Sequence, residues 1–448
     1  MKMRSGFRTL FGVFSGLVAL CIALAAPVAR ATDAIIASPT VGSGPTFLAI
    51  TPDGQYVYTA NEVDGSVSVI ATATNTVIAT VPVGSYPMSV AITPNGKYAY
   101  VTNYGDNTVS VIATATNTVV ATVGVGSAPY FVAITPNGQY AYITNFDDNT
   151  VSVINTSTNT VISTVATTGD GPYALAITPN GKYVYVTNYN LYVSTAPSTV
   201  SVIDTATNTV IATVPVGYAP AFVAITPNGK YAYVSNYNST GIHLPSDTVS
   251  VIDTATNTVI ATIPVSPGTN PDDIAFTPDG KYAYVTGYNG TVSVIDTATS
   301  TLIATITGLN GNPSWVLITP DGQYAYIPSN TGNTVYVIAT MENADAALRN
   351  TIVQIIPLPT GSIHPISETI TPDGRCVYVG NGNGTGFTSP IPGTVTVIAR
   401  NVTGAMSGSC APLPQSGAAP IPTQNNLVLA MLALLLASMT FAGLRRRG

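Results

Sequence analysis

Residues 82–123 read PVGSYPMSVAITPNGKYAYVTNYGDNTVSVIATATNTVVATV, and the rest of the chain repeats this unit. The apolar run Met88–Thr93 predicts a strand buried on both faces, and Tyr98–Thr102 alternates tyrosine with smaller residues as a second strand. Residues 108–112 and 118–123 have the same β-rich composition. The intervening TPNG suits a type I turn, and TATN ends in an asparagine that tolerates a positive φ. The unit therefore predicts four consecutive antiparallel strands.

The motif Thr-Pro-Asp/Asn-Gly marks eight copies of this unit. It begins at Thr51, Thr93, Thr135, Thr178, Thr226, Thr277, Thr319 and Thr371, at intervals of 42 to 52 residues. Four-stranded propeller blades repeat with a similar period, about 40 to 45 residues. We therefore predict an all-β fold across residues 34–401, an eight-bladed β-propeller of four-stranded antiparallel blades, with seven blades as the alternative.

The two ends of the repeat region complement each other. The last copy supplies three strands and then continues as NVTGAMSGSC, which has no β pattern. Residues 34–41 precede the first unit and match the outer-strand ending of the other units. We expect this segment to complete the last blade, because the pairing would cover two otherwise exposed sheet edges.

The charge distribution argues against a nucleic-acid partner. Seven of the 14 Lys and Arg residues lie in the two terminal segments, and all 20 Asp and Glu residues lie between those segments. The middle of the chain thus has seven cations against twenty acids. Such a surface repels phosphate backbones.

Residues 1–31 have the features of a secretory signal peptide, with a basic start, an apolar run from Leu10 to Ala26 and Ala29-Arg30-Ala31 as cleavage site. A permanent N-terminal anchor is the alternative. Export would place Cys376 and Cys410 where disulfides persist. The two cysteines are then either free thiols or joined in a disulfide that ties the C-terminal tail to the last repeat.

The C-terminus predicts a membrane anchor. After a Pro/Gly/Ser-rich linker at residues 402–420, residues 427–444 contain no charge and are long enough to cross a bilayer core of about 30 Å. Arg445, Arg446 and Arg447 follow and favour a cytoplasmic C-terminus. We expect the inner membrane as a partner, with the propeller on its outer side.

Two resemblances add to this interpretation. Tyr-Val-Thr-Asn at Tyr100–Asn103 and Tyr185–Asn188 resembles the YVTN family of propeller repeats in surface-layer and cell-surface proteins. The tail at residues 421–448, with Ile421-Pro422-Thr423, one apolar helix and terminal arginines, resembles exosortase-type (PEP-CTERM-like) sorting signals, most closely the IPTL variety. This second resemblance implies a sorting protease or transpeptidase as partner, and a location in the cell envelope or at the surface of a Gram-negative bacterium.

The copies differ on one face of the predicted ring. Turns between the first and second strands and between the third and fourth strands hardly vary, whereas the second-to-third loops expand after Tyr189, Tyr237 and Gly380. Variable loops on a rigid scaffold are the usual place for binding. A proline six residues before each motif threonine marks the rim of the channel on this face. The candidate ligand-binding residues near these prolines are Tyr86, Tyr130, Tyr173, Asp272, Asp273, Trp315 and His364, with Phe47 at an equivalent position. The alternative is that these side chains only plug the channel.

Little in the sequence predicts a metal or cofactor site. The only histidines are His243 and His364, so a histidine-rich metal site has little basis, and we expect no cofactor. Acids in the second-to-third loops could bind Ca²⁺, but their spacing matches no defined calcium loop. Solvated turn carboxylates are therefore the preferred interpretation for Glu62, Asp64, Asp106, Asp147 and Asp148.

These features predict an exported, membrane-tethered or surface-sorted propeller that acts without catalysis in adhesion, matrix structure or binding. An aromatic and acidic rim suits an extracellular glycan, a peptide, a matrix protein or a cation. The alternative is a propeller enzyme, a lactonase-like hydrolase or an oxidoreductase, that uses Asp272, Asp273, Glu368 and His364 at the channel mouth. Only analogy of fold supports that alternative.

Overall fold

The computed structural model describes residues 32–189, 198–237, 247–265, 268–360, 364–382, 391–401 and 410. These residues form 33 strands and no helix. No helix that could span a membrane occurs among them. The predicted signal peptide, the sorting signal with its apolar segment, the linker apart from Cys410, and most of the expanded loops lie outside the described residues.

The strands form eight antiparallel sheets, which confirms the eight-bladed prediction. The strands of blades 1 to 7 are, in chain order, β3 (Pro45–Ile50), β4 (Tyr56–Asn61), β5 (Ser66–Ala71) and β6 (Thr76–Pro82); β7 (Pro87–Ile92), β8 (Tyr98–Asn103), β9 (Thr108–Ala113) and β10 (Thr118–Gly124); β11 (Pro129–Ile134), β12 (Tyr140–Asn145), β13 (Thr150–Asn155) and β14 (Thr160–Ala166); β15 (Pro172–Ile177), β16 (Tyr183–Asn188), β17 (Thr199–Asp204) and β18 (Thr209–Pro215); β19 (Pro220–Ile225), β20 (Tyr231–Asn236), β21 (Thr248–Asp253) and β22 (Thr258–Pro264); β23 (Pro271–Phe276), β24 (Tyr282–Gly287), β25 (Thr291–Asp296) and β26 (Thr301–Ile306); and β27 (Leu317–Ile318), β28 (Tyr324–Ser329), β29 (Thr334–Ala339) and β30 (Thr351–Pro357). Blade 8 contains β31 (Pro365–Ile370), β32 (Cys376–Asn381) and β33 (Pro392–Ala399), with β1 (Ala34–Ala37) as its fourth strand and β2 (Thr40–Ser43) also paired to β33.

The N-terminus closes the ring. β1 runs antiparallel to β33, with Ala34 opposite Ala399, so the outer strand of blade 8 comes from the opposite end of the repeat region. The Asp33 carboxylate accepts hydrogen bonds from the Tyr326 hydroxyl of blade 7 and from the backbone N–H of Asn401. A disulfide joins Cys376 on β32 to Cys410 across 34 positions of sequence. The last blade is thus held by strand pairing and by a covalent bond.

The repeated turns have a simple physical basis. In TPNG, the Thr93 hydroxyl accepts a hydrogen bond from the backbone N–H of Tyr98 and donates one to the side-chain oxygen of Asn95. Gly96 has a φ of 71°, which is costly for a residue with a Cβ. In TATN, Asn117 has a φ of 52°, a conformation that asparagine tolerates better than most residues.

The polar side chains of the YVTN motif make contacts within and between blades. In blade 2, the Tyr100 hydroxyl donates to the side-chain oxygen of Asn159 in blade 3 at 2.6 Å. The Thr102 hydroxyl donates to the Tyr130 carbonyl of blade 3 at 3.0 Å, and the Asn103 amide donates to Thr108 within its own blade. The motif therefore links neighbouring blades as well as neighbouring strands.

The tyrosine contact recurs around the ring. The eight equivalent tyrosines, one from the second strand of every blade, are fully buried: Tyr58, Tyr100, Tyr142, Tyr185, Tyr233, Tyr284, Tyr326 and Tyr378. Six of their hydroxyls donate to an asparagine in a turn of the next blade. Tyr326 uses Asp33 instead, and Tyr233 lies near Ser300 without a hydrogen bond of normal geometry. The apolar core is correspondingly divided into clusters that lie between adjacent blades.

Candidate functional site

A cavity of about 400 Å³ opens at the channel mouth, on the face of the second-to-third loops. Its walls come from two sets of positions. The first set lies one or two residues after the proline at the entry of each inner strand, and the second set is the residue that follows the second strand in blades 4 to 7. The cavity therefore lies on the face where the sequence copies differ.

Four aromatic rings form the base of this cavity. Phe47, Phe131, Phe222 and Trp315 come from blades 1, 3, 5 and 7, and each ring contacts the next edge to face. Ring centroids lie 5.0 to 5.9 Å apart, and the closed cycle occupies the axis of the ring. The equivalent positions in blades 2, 4, 6 and 8 carry the smaller residues Ser89, Ala174, Asp273 and Ser367. Alternate large and small residues let four rings share the space near the axis.

An arc of tyrosines forms one wall. The Tyr130 and Tyr173 rings lie 4.5 Å apart, and their hydroxyls are within hydrogen-bonding distance at 3.0 Å. Tyr189, Tyr237 and Tyr288 continue the arc, with centroid separations of 5.3, 6.5 and 5.5 Å between successive rings. The last three residues were missed by the sequence analysis. Their signal was available, because an aromatic residue follows the second strand in five of the eight copies: Tyr104, Phe146, Tyr189, Tyr237 and Tyr288.

Two adjacent aspartates of blade 6 also line the cavity. The Asp273 carboxylate accepts hydrogen bonds from the backbone N–H groups of Ile274 and Val316, at 2.8 and 3.0 Å. Burial raises the pKa of Asp273 to about 7, and these hydrogen bonds limit the rise. Burial, with a smaller contribution from Asp273, raises the pKa of Asp272 to about 8. The Asp273 carboxylate thus stabilises the backbone of blades 6 and 7. The Asp272 carboxyl, in contrast, accepts no hydrogen bond from the described residues and is available to a ligand.

Two further acids lie close to the channel. Glu368 occupies a position that is Leu, Val or Ile in the other seven copies, and both its carboxyl oxygens are buried without a hydrogen-bond partner among the described residues. Burial, then the charge of Asp273, raises its pKa well above the ordinary value. Glu62 follows β4, and burial raises its pKa to about 7.

The other predicted site residues lie at the edge. Tyr86 is 48% exposed, has a φ of 52° and does not line the cavity. The Nδ1 atom of His364 lies 2.8 Å from the side-chain oxygen of Asn330, which does line it. The structure therefore brings together Tyr130, Tyr173, Asp272, Asp273 and Trp315 and leaves Tyr86 and His364 outside. His243 lies outside the described residues.

The loop acids considered as calcium ligands contact the backbone. Asp64, Asp106 and Asp148 each accept a hydrogen bond from the N–H of the serine two residues before the inner strand of the same blade, at 2.5 to 2.7 Å. Within the described part of the chain, no three His, Cys, Asp or Glu residues form a group that could hold a metal ion. These three carboxylates contribute to the loop structure on the cavity face.

Fold and site together define a β-propeller with an aromatic and acidic cavity at its channel mouth. The chain belongs to the family described as "Lactonase, 7-bladed beta-propeller", whose model matches residues 28–123 and 113–402. The family description names seven blades, whereas this chain forms eight sheets.

One solved structure with a similar fold is hydrazine synthase from Kuenenia stuttgartiensis, at 23% sequence identity and a TM-score of 0.57. The similarity covers 82% of this chain and 98% of the other chain. At this level of identity the comparison supports the propeller fold. No curated protein matches the chain.

Proposed function

We propose that the protein is an exported, non-enzymatic propeller of the cell envelope that binds a ligand in the cavity at its channel mouth. The observation that carries this proposal is the cavity itself, which is closed at its base by four aromatic rings and walled by tyrosines. Its volume of about 400 Å³ falls in the range of small-molecule sites, roughly 300 to 1,000 Å³. A small ligand, or the end of a glycan or peptide, would fit this space.

The side chains at the cavity favour binding over catalysis. Asp273 is occupied by two backbone N–H groups, and no Lys, Arg or His occurs among the described residues that line the cavity. Asp272 therefore lacks a partner that would activate it as a nucleophile or stabilise a developing negative charge. Aromatic walls provide contact area whether or not a reaction follows.

A glycan and peptide array probed with the purified full-length protein tests this function. Truncation of Tyr130 to alanine removes one ring of the wall, and we expect it to weaken any array ligand about tenfold or more. The matched control is Tyr86→Ala, which removes an exposed tyrosine on the same face but outside the cavity. Equal binding by wild type and Tyr130→Ala would place the ligand elsewhere.

The envelope location is part of this proposal and is supported by the sequence features of the two termini. Removal of residues 421–448 takes away the apolar segment and the arginine cluster. We expect the truncated protein to leave the membrane fraction and to accumulate in the periplasm or medium. Retention in the membrane fraction would refute an anchor at this end.

Hydrolysis of a lactone is the second candidate, and membership of the lactonase propeller family favours it. Because the pKa of Asp272 is about 8, this carboxyl keeps its proton at neutral pH and would serve as an acid toward a leaving oxygen. If the wild type hydrolyses simple lactones and Asp272→Asn does not, the result would support the enzymatic function. Absence of turnover across a lactone panel would favour the binding function.

A further inference from the structure

The two faces of the propeller differ sharply in charge. Every Lys and Arg between residues 32 and 410 lies at the face opposite the cavity, in a first-to-second or third-to-fourth connection or just after β33: Lys97, Lys182, Lys230, Lys281, Arg349, Arg375 and Arg400. The residues between 32 and 410 that the structure does not describe include no Lys or Arg. The cavity face therefore has no basic residue of either type.

Half of the acids lie on the cavity side. Nine of them lie in its loops or at the entry of its inner strands: Glu62, Asp64, Asp106, Asp147, Asp148, Asp170, Asp247, Asp272 and Asp273. The tenth is Glu368, within the inner strand β31. A face with one sign of charge raises the local concentration of ions of the opposite sign. This face attracts cations.

The lining of the cavity decides which kind of cation fits. Hard metal ions are bound by six or more oxygen ligands. Half of the residues that line this cavity are aromatic, and no three His, Cys, Asp or Glu residues in the described part of the chain form a group that could hold a metal ion. Aromatic ring faces attract ammonium groups through the ring quadrupole, and the attraction grows when the pair is shielded from water. One free carboxyl, Asp272, lies among these rings.

We propose that the cavity binds an organic ammonium ion, with the Asp272 carboxylate as its counter-ion and the Tyr130, Tyr173 and Tyr237 rings as its wall. This inference rests on the proposed binding function and names the ligand class. Asp272 lies close enough to these tyrosines for its charge to raise the pKa of their hydroxyls, although burial is the larger cause. An ammonium group near Asp272 is thus also near the tyrosine rings.

The pH dependence of binding follows from the groups around Asp272. They are acids or phenols, with no base among the described lining: Asp273 on the same strand, Glu368 on the inner strand of blade 8, Tyr130 and Tyr173 on the inner strands of blades 3 and 4, and Tyr237 and Tyr288 after β20 and β24. Asp272 is largely protonated in the empty cavity below pH 8. A bound cation favours its ionised form, so affinity rises as pH increases toward 8 and then levels off.

Calorimetric titration of the purified full-length protein with choline tests the proposal. The uncharged probe 3,3-dimethylbutan-1-ol has the same shape, with carbon in place of nitrogen. We expect choline to bind about tenfold tighter at pH 8.5, because the neutral probe lacks both the ion pair and the cation–π attraction. Since choline does not titrate in this range, a rise in its affinity between pH 6 and 8 reports ionisation of the protein.

Asp272→Asn removes the counter-ion at nearly constant shape. We expect this variant to lose about tenfold in choline affinity and to lose the pH dependence, while the neutral probe is unaffected. Asp147→Asn is the matched control, because it removes an exposed acid on the same face outside the cavity and should change affinity less than twofold. The wild-type comparison of the two probes and the pH series need no variant, so they test the proposal even if Asp272→Asn fails to fold.

Equal affinity for the two probes would overturn the proposal, as would a choline preference that is undiminished in Asp272→Asn. If choline does not bind while an array ligand binds in a Tyr130-dependent manner, the ammonium inference fails and the binding function stands. If neither choline nor any array ligand binds, both fail.

Discussion

The hydrogen bond between Tyr142 and Asn208 offers a direct test of how the blades are held together. Tyr142 is fully buried, and its hydroxyl donates to the side-chain oxygen of Asn208 in the next blade at 2.6 Å. Tyr142→Phe keeps the ring but leaves a polar oxygen of Asn208 without this donor. A lost hydrogen bond with one unsatisfied partner costs about 1 to 3 kcal/mol. We expect the free energy of unfolding to fall by this amount.

The blade 5 tyrosine provides the control for this measurement. Tyr233 is equally buried, but its hydroxyl lacks a hydrogen-bond partner of normal geometry, so Tyr233→Phe should be nearly neutral or slightly stabilising. Denaturant titration followed by tyrosine fluorescence compares the two variants in the same protein. Equal destabilisation by both would show that the inter-blade hydrogen bond contributes nothing and that only ring packing matters.

A double-mutant cycle separates the bond from its surroundings. Asn208 has a φ of 53°, so Asn208→Gly removes the acceptor without backbone strain. If the contact acts as a pair, Tyr142→Phe should cost about 1 kcal/mol less in the Asn208→Gly background than in the wild type. Strict additivity would refute a direct interaction.

Three other outcomes are expected. Replacing both Cys376 and Cys410 by serine should lower stability by about 3 to 4 kcal/mol, since the disulfide closes a loop of 34 positions, and an unchanged unfolding midpoint in oxidised and reduced samples would contradict this. Glu368→Val should raise thermal stability because it removes a buried carboxyl that has no hydrogen-bond partner among the described residues, and the gain should be larger at pH 8 than at pH 5 because burial raises the pKa of this carboxyl well above its ordinary value; a lower melting temperature at both pH values would show a structural role instead. Chelation with EDTA should leave the melting curve unchanged, because Asp64 and Asp106 already accept backbone N–H groups, and a clear downward shift would restore the calcium hypothesis.

The wild-type protein should also be less stable at pH 8 than at pH 5. Asp272, Asp273 and Glu62 have folded-state pKa values of about 8, 7 and 7, whereas the unfolded chain has ordinary values near 4. The folded state therefore binds more protons between pH 4 and 8, and stability falls as pH rises through this window. Urea titrations at pH 5, 6.5 and 8 would check the direction. A stability that rises across this range would mean that these carboxyls are ionised in the folded protein.

The sequence by itself was enough to define the blades. The eight TPNG-type turns, the strand patterns between them and the strand-poor end of the last copy are local features, so eight sheets could be predicted from turn chemistry and periodicity. The face that carries the cavity could also be chosen, because the chain contains eight variants of its own unit. Whether Cys376 and Cys410 form a disulfide could not be predicted, since that depends on a distance across the fold.

Only the tertiary structure decided which side chains meet in the cavity. Phe47, Phe131, Phe222 and Trp315 are separated by 84 to 93 residues of sequence from one to the next, and they form one cycle only because alternate blades converge on the ring axis. The same convergence places Asp272 among tyrosines from several blades and buries Glu368 where other copies have aliphatic residues. Local sequence specifies strands and turns through short-range interactions. Contacts near the axis depend on ring closure, and no single repeat contains that information.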